Sequence, residues 1–211
     1  MTGSSSRREE QRERLLPQLH ALVAERGLAQ ANLRFLAAKT GTSARMLHYY
    51  FGSAEGLVHA VVEYERDQQK VALGRLFDSM RRASGSSTAT SRNAEAGLRA
   101  LETTIVAYFD YVTAPERRGF LRFYFELLAT AARNPERYEA FLGGNVSGWV
   151  GYMQAAAKEI AGLEIASEHV RAVLALARGF YIEVQSGVPV KDVRAAFIPA
   201  LRVLLAGLTV P

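Results

Sequence analysis

Side chains suited to reading a nucleic acid are concentrated in residues 43–50, SARMLHYY. Arginine can place two hydrogen bonds on guanine, alanine and methionine can pack against a thymine methyl, and histidine and tyrosine can bind phosphates or base edges. On a helix, Leu47 and Phe51 share one face because they lie four residues apart. The opposite face then carries Ala44, Arg45, Met46, His48 and Tyr49. Bulky exposed side chains favour contact with DNA, and an ordinary helix pair with its aromatics packed into the domain is the alternative.

A second, shorter helical pattern precedes this one and must position it. Apolar residues recur at helical spacing over residues 33–37, and Asn32 can cap the first turn. Gly41 can supply the positive φ that ends the helix, and Ser43 is well placed to cap the next one. Two short helices joined by a turn of three or four residues with glycine are the motif that places its second helix in the major groove.

Positive charge is concentrated at the end of the chain that carries this motif. The 211 residues have a formal charge of +5. Residues 1–52 hold eight Lys and Arg against four Asp and Glu, which gives +4 of that total. The N-terminal quarter is therefore the part of the chain that attracts anions.

Residues 14–63 resemble the N-terminal domain of TetR-family transcriptional regulators. The resemblance is carried by a helix ending in AERG, by LxxLAxxxGTS and by xxMLHYYFGSAEGLVHAVVE. It implies that the helix after the GTS turn is the recognition helix, that the aromatic before Gly52 closes the domain, and that Ser53 caps a long fourth helix. Carried over position by position, the residues that fall where family members touch DNA are Arg34, Ser43, Ala44, Arg45, Met46, His48, Tyr49 and Tyr50.

Several of these positions depart from the usual residues of the family. His48 stands where a tyrosine is common, the pair Tyr49-Tyr50 replaces an aromatic-histidine pair, and Ala54 replaces a lysine after the serine cap. One phosphate contact expected from the family is missing as a result. Arg45 or the arginine-rich amino terminus is the predicted substitute.

Pro17 interrupts the first helical pattern. In a helix interior it would remove a hydrogen bond and crowd the preceding turn, at a cost of about 3 kcal/mol. We therefore expect the stable helix to begin near Leu15, with proline in its first turn, and to end at Gly27. Its predicted core stripe is Leu16, Leu19, Leu22 and Val23. Residues 1–14 would be a flexible basic arm whose arginines either reach phosphates or a minor groove, or lie in a solvated tail: Arg7, Arg8 and Arg12.

The remainder of the chain is predicted to be helical. Helical patterns cover residues 55–82, 94–113, 115–133, 135–162, 167–186 and 191–208, and a polar Ser/Thr-rich loop covers residues 83–93. The predicted fold class is all-α. It consists of an N-terminal three-helix helix-turn-helix domain at residues 15–54 and a C-terminal helical ligand-binding and dimerisation domain at residues 55–211, preceded by the arm at residues 1–14.

The last two predicted helices carry more apolar surface than a thin domain needs. The first presents Val170, Val173, Leu174, Ala177, Phe180, Tyr181 and Val184. The second presents Val193, Ala196, Phe197, Ala200, Leu201, Leu204 and Leu205. A hairpin can bury the surplus against its own twofold copy, and the resemblance implies the same homodimer, whereas closure of the monomer core is the alternative. Two recognition helices about 34–36 Å apart would then read a near-palindromic operator in double-stranded DNA.

Aromatic side chains crowd together between residues 108 and 153. Such clusters are more often core than pocket, but with polar side chains nearby they suit a mostly apolar cavity. By analogy with the family, we expect a small hydrophobic or aromatic effector and a fourth helix that acts as the lever between effector and DNA. The expected ligand contacts are Tyr108, Phe109, Phe125, Trp149, Tyr152, Met153, Phe180 and Glu183.

Patterns typical of enzymes, metal sites and membrane proteins are missing from the sequence. Its four histidines are scattered without an HExxH, it has no cysteine, and no glycine-rich phosphate loop stands between a strand and a helix. No apolar run reaches transmembrane length and the start lacks the core of a signal peptide. We therefore expect a cytoplasmic, non-enzymatic protein without cofactor or metal. The predicted function is a DNA-binding repressor released from its operator by the effector, and the alternative is a helical small-molecule-binding protein without specific DNA binding.

Overall fold

Helices form every regular element in residues 2–83 and 94–207, the part of the chain that the computed structural model describes. Two short 3-10 turns, Pro115–Arg117 and Glu136–Tyr138, precede the sixth and seventh helices. The nine α-helices of the described residues are α1 (Thr2–Arg26), α2 (Leu33–Lys39), α3 (Ala44–Phe51), α4 (Ala54–Ala83), α5 (Ala94–Thr113), α6 (Arg118–Arg133), α7 (Glu139–Ala161), α8 (Ser167–Gln185) and α9 (Val190–Ala206). The all-α prediction is confirmed, and the predicted loop at residues 83–93 lies almost entirely outside the described residues.

The chain divides into two compact units. The N-terminal unit comprises residues 1–70 and 116–143, and the C-terminal unit comprises residues 71–115 and 144–211. This division differs from the predicted boundary at residue 54, because α6 and the first half of α4 belong with the N-terminal helices. The sequence pattern could not reveal this, since it shows that α6 buries one face but not which helices cover that face.

Close packing against α1 explains why α6 belongs to the N-terminal unit. Phe123 and Leu127 of α6 are fully buried in one core with Leu19 of α1. At Gly119 the two helices come so near that an added Cβ would lie 2.4 Å from the carbonyl oxygen of Ala24. A glycine is therefore needed at this crossing.

Helix α1 begins at Thr2, which corrects the predicted start near Leu15. Pro17 lies inside the helix but is exposed, so water can bind the carbonyl group that proline leaves without an amide partner. The buried stripe also begins one residue earlier than predicted, at Leu15, and Leu16 is only half-buried. As predicted, the helix ends at Gly27, whose φ is +75°.

Aromatic stacking organises the core of the C-terminal unit. The ring of Phe109 on α5 stacks on that of Phe197 on α9 with 4.3 Å between centroids, and on that of Tyr181 on α8 at 5.4 Å. Helices α8 and α9 follow each other closely and pack together. An ion pair between Arg194 Nε and Asp110 Oδ1, 2.8 Å apart, joins α9 to α5. Among the described residues, no helix is long and apolar enough to cross a membrane.

Candidate nucleic-acid interface

Side-chain caps fix the start of α2 and of α3. Asn32 Oδ1 accepts a hydrogen bond from the amide of Phe35 at 3.0 Å, and Ser43 Oγ accepts one from the amide of Met46 at 3.2 Å. Each bond satisfies an amide of the first turn that has no partner within the helix. The two caps predicted from the sequence are therefore present.

The turn between the helices is tied to the end of α2. Gly41 has a φ of +66°, and no atom lies within 4 Å of the position a Cβ would take. Backbone conformation rather than space therefore selects glycine here. The buried Thr40 Oγ1 donates to the carbonyl of Leu36 at 2.8 Å, and the amide of Thr42 donates to that of Ala37 at 3.0 Å. These bonds fix the point at which α3 begins.

Helix α3 has one buried face and one exposed face. Leu47 and Phe51 are 0% and 7% exposed and pack into the core, as predicted. Arg45, His48 and Tyr49 are exposed, Tyr49 to 51%. The half-buried side chains are Ala44, Met46 and Tyr50. The exposed face therefore consists mainly of Arg45, His48 and Tyr49, and Ala44 and Met46 are only partly exposed on it.

Cations near the turn are free to bind an anion. Arg34 and Lys39 of α2 and Arg45 of α3 are exposed, and none has a hydrogen-bond or ion-pair partner in the described residues. Ser43 is also exposed but uses its side-chain oxygen as a cap. Three unpaired positive side chains on one helix pair suit the phosphate backbone of a nucleic acid.

Two arginines of α1 lie against the end of α3. The sequence analysis did not predict these contacts. Arg8 Nη2 donates to the backbone carbonyl of Tyr50 at 3.1 Å, and its Cζ lies 5.4 Å from the ring centroid of Tyr49. Arg12 Cζ lies 5.4 Å from the ring centroid of Phe51. The four-residue spacing of the two arginines, which places them on one face of a helix, was the signal available in the sequence.

The start of α4 has the serine cap that the resemblance implies but lacks the expected lysine after it. Gly52 has a φ of +80°, and Ser53 Oγ accepts a hydrogen bond from the amide of Gly56 at 2.9 Å. An added Cβ at Gly56 would lie 2.2 Å from the carbonyl oxygen of Phe51, so glycine is what allows α4 to begin this close to the end of α3. The methyl group of Ala54 cannot bind a phosphate as the lysine implied by the resemblance would.

A buried carboxylate joins α1, α4 and the turn before α6 within the N-terminal unit. His20 Nε2 lies 2.7 Å from Glu65 Oε2, Gln69 Nε2 donates to Glu65 Oε1 at 2.7 Å, and Arg117 forms an ion pair with Glu65 Oε1. Burial alone raises the pKa of Glu65, but the hydrogen bond with His20 and the charges of Arg117 and His20 lower it overall. The carboxylate therefore stays ionised and holds three segments of the unit together.

The structure separates the side chains predicted to bind an effector. Phe125 belongs to the N-terminal unit, whereas the other seven belong to the C-terminal unit. Phe109 is 1% exposed and serves as core, and Phe180 packs edge-on against Phe197 with 5.7 Å between centroids. Glu183 is exposed. A separate aromatic cluster, with neighbouring centroids 5.9 Å apart, contains Tyr108, Trp149 and Tyr152.

A small cavity of about 30 Å³ lies within the C-terminal unit and includes only Met153 of the predicted ligand contacts. Its wall is apolar apart from His169, whose Nδ1 is buried and has no hydrogen-bond partner among the residues that the structure describes. Buried polar atoms normally have a partner. The nitrogen without a partner makes His169 a candidate ligand contact. The sequence did not point to it, because its four histidines are scattered and the aromatic crowding lies elsewhere.

Caps, turn and exposed face together give α2 and α3 the geometry of a helix-turn-helix DNA-binding protein. Residues 16–61 match the family model described as bacterial regulatory proteins, tetR family. This match covers α2 and α3 entirely, together with residues 16–26 of α1 and the start of α4. The N-terminal segment thus matches the DNA-binding domain of TetR-type regulators, and the resemblance predicted from the sequence is confirmed for these residues.

The fold of the whole chain is also similar to that of a solved structure. This is the crystal structure of a protein from Rhodococcus sp., provisionally assigned as a TetR-family transcriptional regulator, with a TM-score of 0.61 and 21% sequence identity. The similarity covers 93% of this chain and 99% of that one. At this identity the likeness is one of fold. Comparison with curated protein sequences gave no significant match.

Proposed function

We propose that this DNA-binding regulator is a cytoplasmic, homodimeric repressor that reads a near-palindromic operator and is released by a small apolar effector. The observation that carries the DNA-reading part is the division of α3 between two anchors, Leu47 and Phe51, and three exposed side chains, Arg45, His48 and Tyr49. A helix that had only water to face would not need this set.

Arg45 is assigned the main base contact. It is exposed, has no partner in the described residues and lies in the first turn of α3, the part of a recognition helix that contacts base edges. Arg34, Ser43, His48, Tyr49 and Tyr50 are assigned to phosphates or base edges, and Ala44 and Met46 to apolar contacts with thymine. Arg45 and Arg34 would then provide the charge that Ala54 lacks.

Exposed apolar side chains support dimerisation through α8 and α9. Ile182 is 52% exposed and Val203 is 74% exposed, although both lie on helices whose other faces are buried. The buried face of α9, by contrast, consists of Val193, Phe197, Leu201 and Leu205. Apolar surface left over on a helical hairpin suits an isologous contact with a second copy.

The effector is assigned to the cavity that contains His169 and Met153. The wall favours an apolar molecule, and the unpaired Nδ1 of His169 favours one hydrogen-bonding group on it. At about 30 Å³ the cavity holds roughly one water molecule, so a larger ligand must displace neighbouring side chains. Met153 is suited to this because its unbranched side chain adapts its shape.

Helix α4 is proposed as the element that couples effector to DNA, because the boundary between the two units falls within it, after Lys70. An effector can release DNA only if it binds the two states of the protein unequally, by about 1–3 kcal/mol for a typical coupling.

Selection of bound duplexes from a random DNA pool, followed by titration at physiological salt, tests the proposal. We expect enrichment of a two-half-site sequence bound at least about 1,000-fold more tightly than random DNA. Binding of all duplexes with equal affinity would contradict specific DNA reading and favour a helical small-molecule-binding protein.

A further inference from the structure

The first turns of α1 contact the last turn of the recognition helix through two arginines. Arg8 binds the carbonyl of Tyr50 at 3.1 Å and lies over the ring of Tyr49, and Arg12 lies over the ring of Phe51. These contacts join residues more than 35 positions apart in the sequence. They lie within the N-terminal unit and are not part of the helix-turn-helix motif itself.

The chemistry at this end of α3 suits a cation. The last four carbonyls of a helix have no amide partner within it, and the helix dipole makes that end negative. Helix α3 ends at Phe51, and the amide of Gly52 binds His48. The carbonyl of Tyr50 is one of the remaining groups, and the guanidinium of Arg8 supplies it with a charge-assisted donor.

The guanidinium groups are also held by the faces of aromatic rings. The Nε atoms of Arg8 and Arg12 are buried and have no hydrogen-bond partner in the described residues, and Arg12 Nε lies 3.8 Å from Glu9 Oε2 in an ion pair. A planar cation packed on an aromatic face gains cation–π attraction that offsets part of its lost hydration. The adjacent Arg7, by contrast, is exposed and has no described partner.

We propose that Arg8 and Arg12 are positioning residues for DNA reading, which clamp the end of α3 and orient Tyr49, and that they do not act as phosphate contacts. The proposal rests on the proposed function, because it assigns α3 and Tyr49 to the DNA. It makes the first turns of α1 part of what determines operator preference.

Salt dependence separates this role from that of a basic arm. Loss of one phosphate contact lowers the slope of log K against log salt concentration by about one. Loss of a positioning residue weakens binding to the preferred duplex relative to random DNA and leaves that slope unchanged.

The test compares Arg8→Gln and Arg12→Gln with the matched control Arg7→Gln in the full chain. For Arg8→Gln and Arg12→Gln we expect the affinity ratio of the selected duplex to random DNA to fall about five- to tenfold, with the wild-type salt slope. For Arg7→Gln we expect a ratio within about twofold of wild type. Arg8→Lys should recover part of the ratio, since lysine keeps the charge and a donor but lacks the planar face.

Hydrogen exchange of the free protein provides a measurement that needs no DNA. Amides of residues 48–52 should exchange several-fold faster in Arg8→Gln and at the wild-type rate in Arg7→Gln. An exchange rate unchanged in Arg8→Gln, or a wild-type affinity ratio with a reduced salt slope, would overturn the proposal. If the wild-type protein preferred no duplex, the proposed function would fail, and the exchange rates alone would decide whether the clamp exists.

Discussion

His20 Nε2 lies 2.7 Å from Glu65 Oε2, so that a carboxylate whose side chain is only 3% exposed connects α1 with α4. Arg117 and Gln69 bind the other oxygen of the same carboxylate. The stability of the N-terminal unit therefore depends on an ionised group in its interior.

Acid should weaken this connection. Because its folded-state pKa is lowered, Glu65 contributes full stability above its unfolded-state pKa, and this contribution is lost as the pH falls through the folded-state pKa. Glu65→Gln should lower the free energy of unfolding at pH 7 by about 3 kcal/mol, since it leaves buried partners unpaired, and should flatten the decline below pH 5. Urea denaturation between pH 3 and 7 measures both effects.

The control for Glu65 is Glu95→Gln, which removes an exposed ion pair between Glu95 and Arg99. Its free energy of unfolding should change by less than about 1 kcal/mol. If the free energy of unfolding fell equally steeply with decreasing pH in wild type and in Glu65→Gln, Glu65 would not be the group that makes the unit sensitive to acid.

Removal of Arg45 should relax operator preference. If Arg45 reads a guanine, Arg45→Ala costs about 1–3 kcal/mol on the preferred duplex and much less on random DNA. Fluorescence anisotropy with both duplexes gives the ratio of the affinity for the preferred duplex to that for random DNA. The matched control is Arg122→Ala, which removes an exposed arginine of α6 that has no described partner. Equal losses in the two variants would reduce Arg45 to a general electrostatic contribution.

A charge on the exposed apolar face of α9 should prevent dimerisation. Val203→Glu places a carboxylate at a side chain that is 74% exposed, so the folded monomer tolerates it, whereas a buried interface does not. We expect sedimentation velocity to show a monomer. Val71→Glu alters a half-exposed valine of α4 and should remain dimeric. A dimeric Val203→Glu protein would exclude this face from the interface.

The unpaired nitrogen of His169 should cost stability in the free protein. His169→Phe removes it and should raise the free energy of unfolding by about 1 kcal/mol, while abolishing effector-induced release from DNA. His59 also has a buried Nδ1 without a described partner but does not line the cavity. His59→Phe should therefore leave the effector response intact. Release at wild-type effector concentration from His169→Phe would place the effector elsewhere.

Local signals made the DNA-binding segment predictable. The caps Asn32 and Ser43, the turn at Gly41 and the anchors Leu47 and Phe51 depend on residues within about twenty positions of one another, so spacing alone was sufficient. The predicted start of α1 was wrong because the helix before Pro17 is supported by contacts with residues far away in the sequence, those of Arg8 and Arg12 with the end of α3.

The candidate effector site was less predictable because it depends on tertiary packing. Aromatic crowding could not distinguish Phe109, which is core, from Met153, which lines a cavity. His169 gave no sequence signal at all, since a histidine becomes informative only when its environment leaves one nitrogen unpaired.

The DNA-binding head of this protein is discontinuous along the chain. A fragment cut after Lys70 would keep every residue of the helix-turn-helix and still lose α6, which would expose the apolar stripe of α1 and leave Glu65 without Arg117. An excised head for fusion or display must therefore carry residues 116–143 along with residues 1–70, joined by a new connection. The surface formed by α2 and α3 and the helix α6 that supports it thus come from separate segments of the chain. Transfer of the DNA-binding specificity between relatives would require the exchange of both segments.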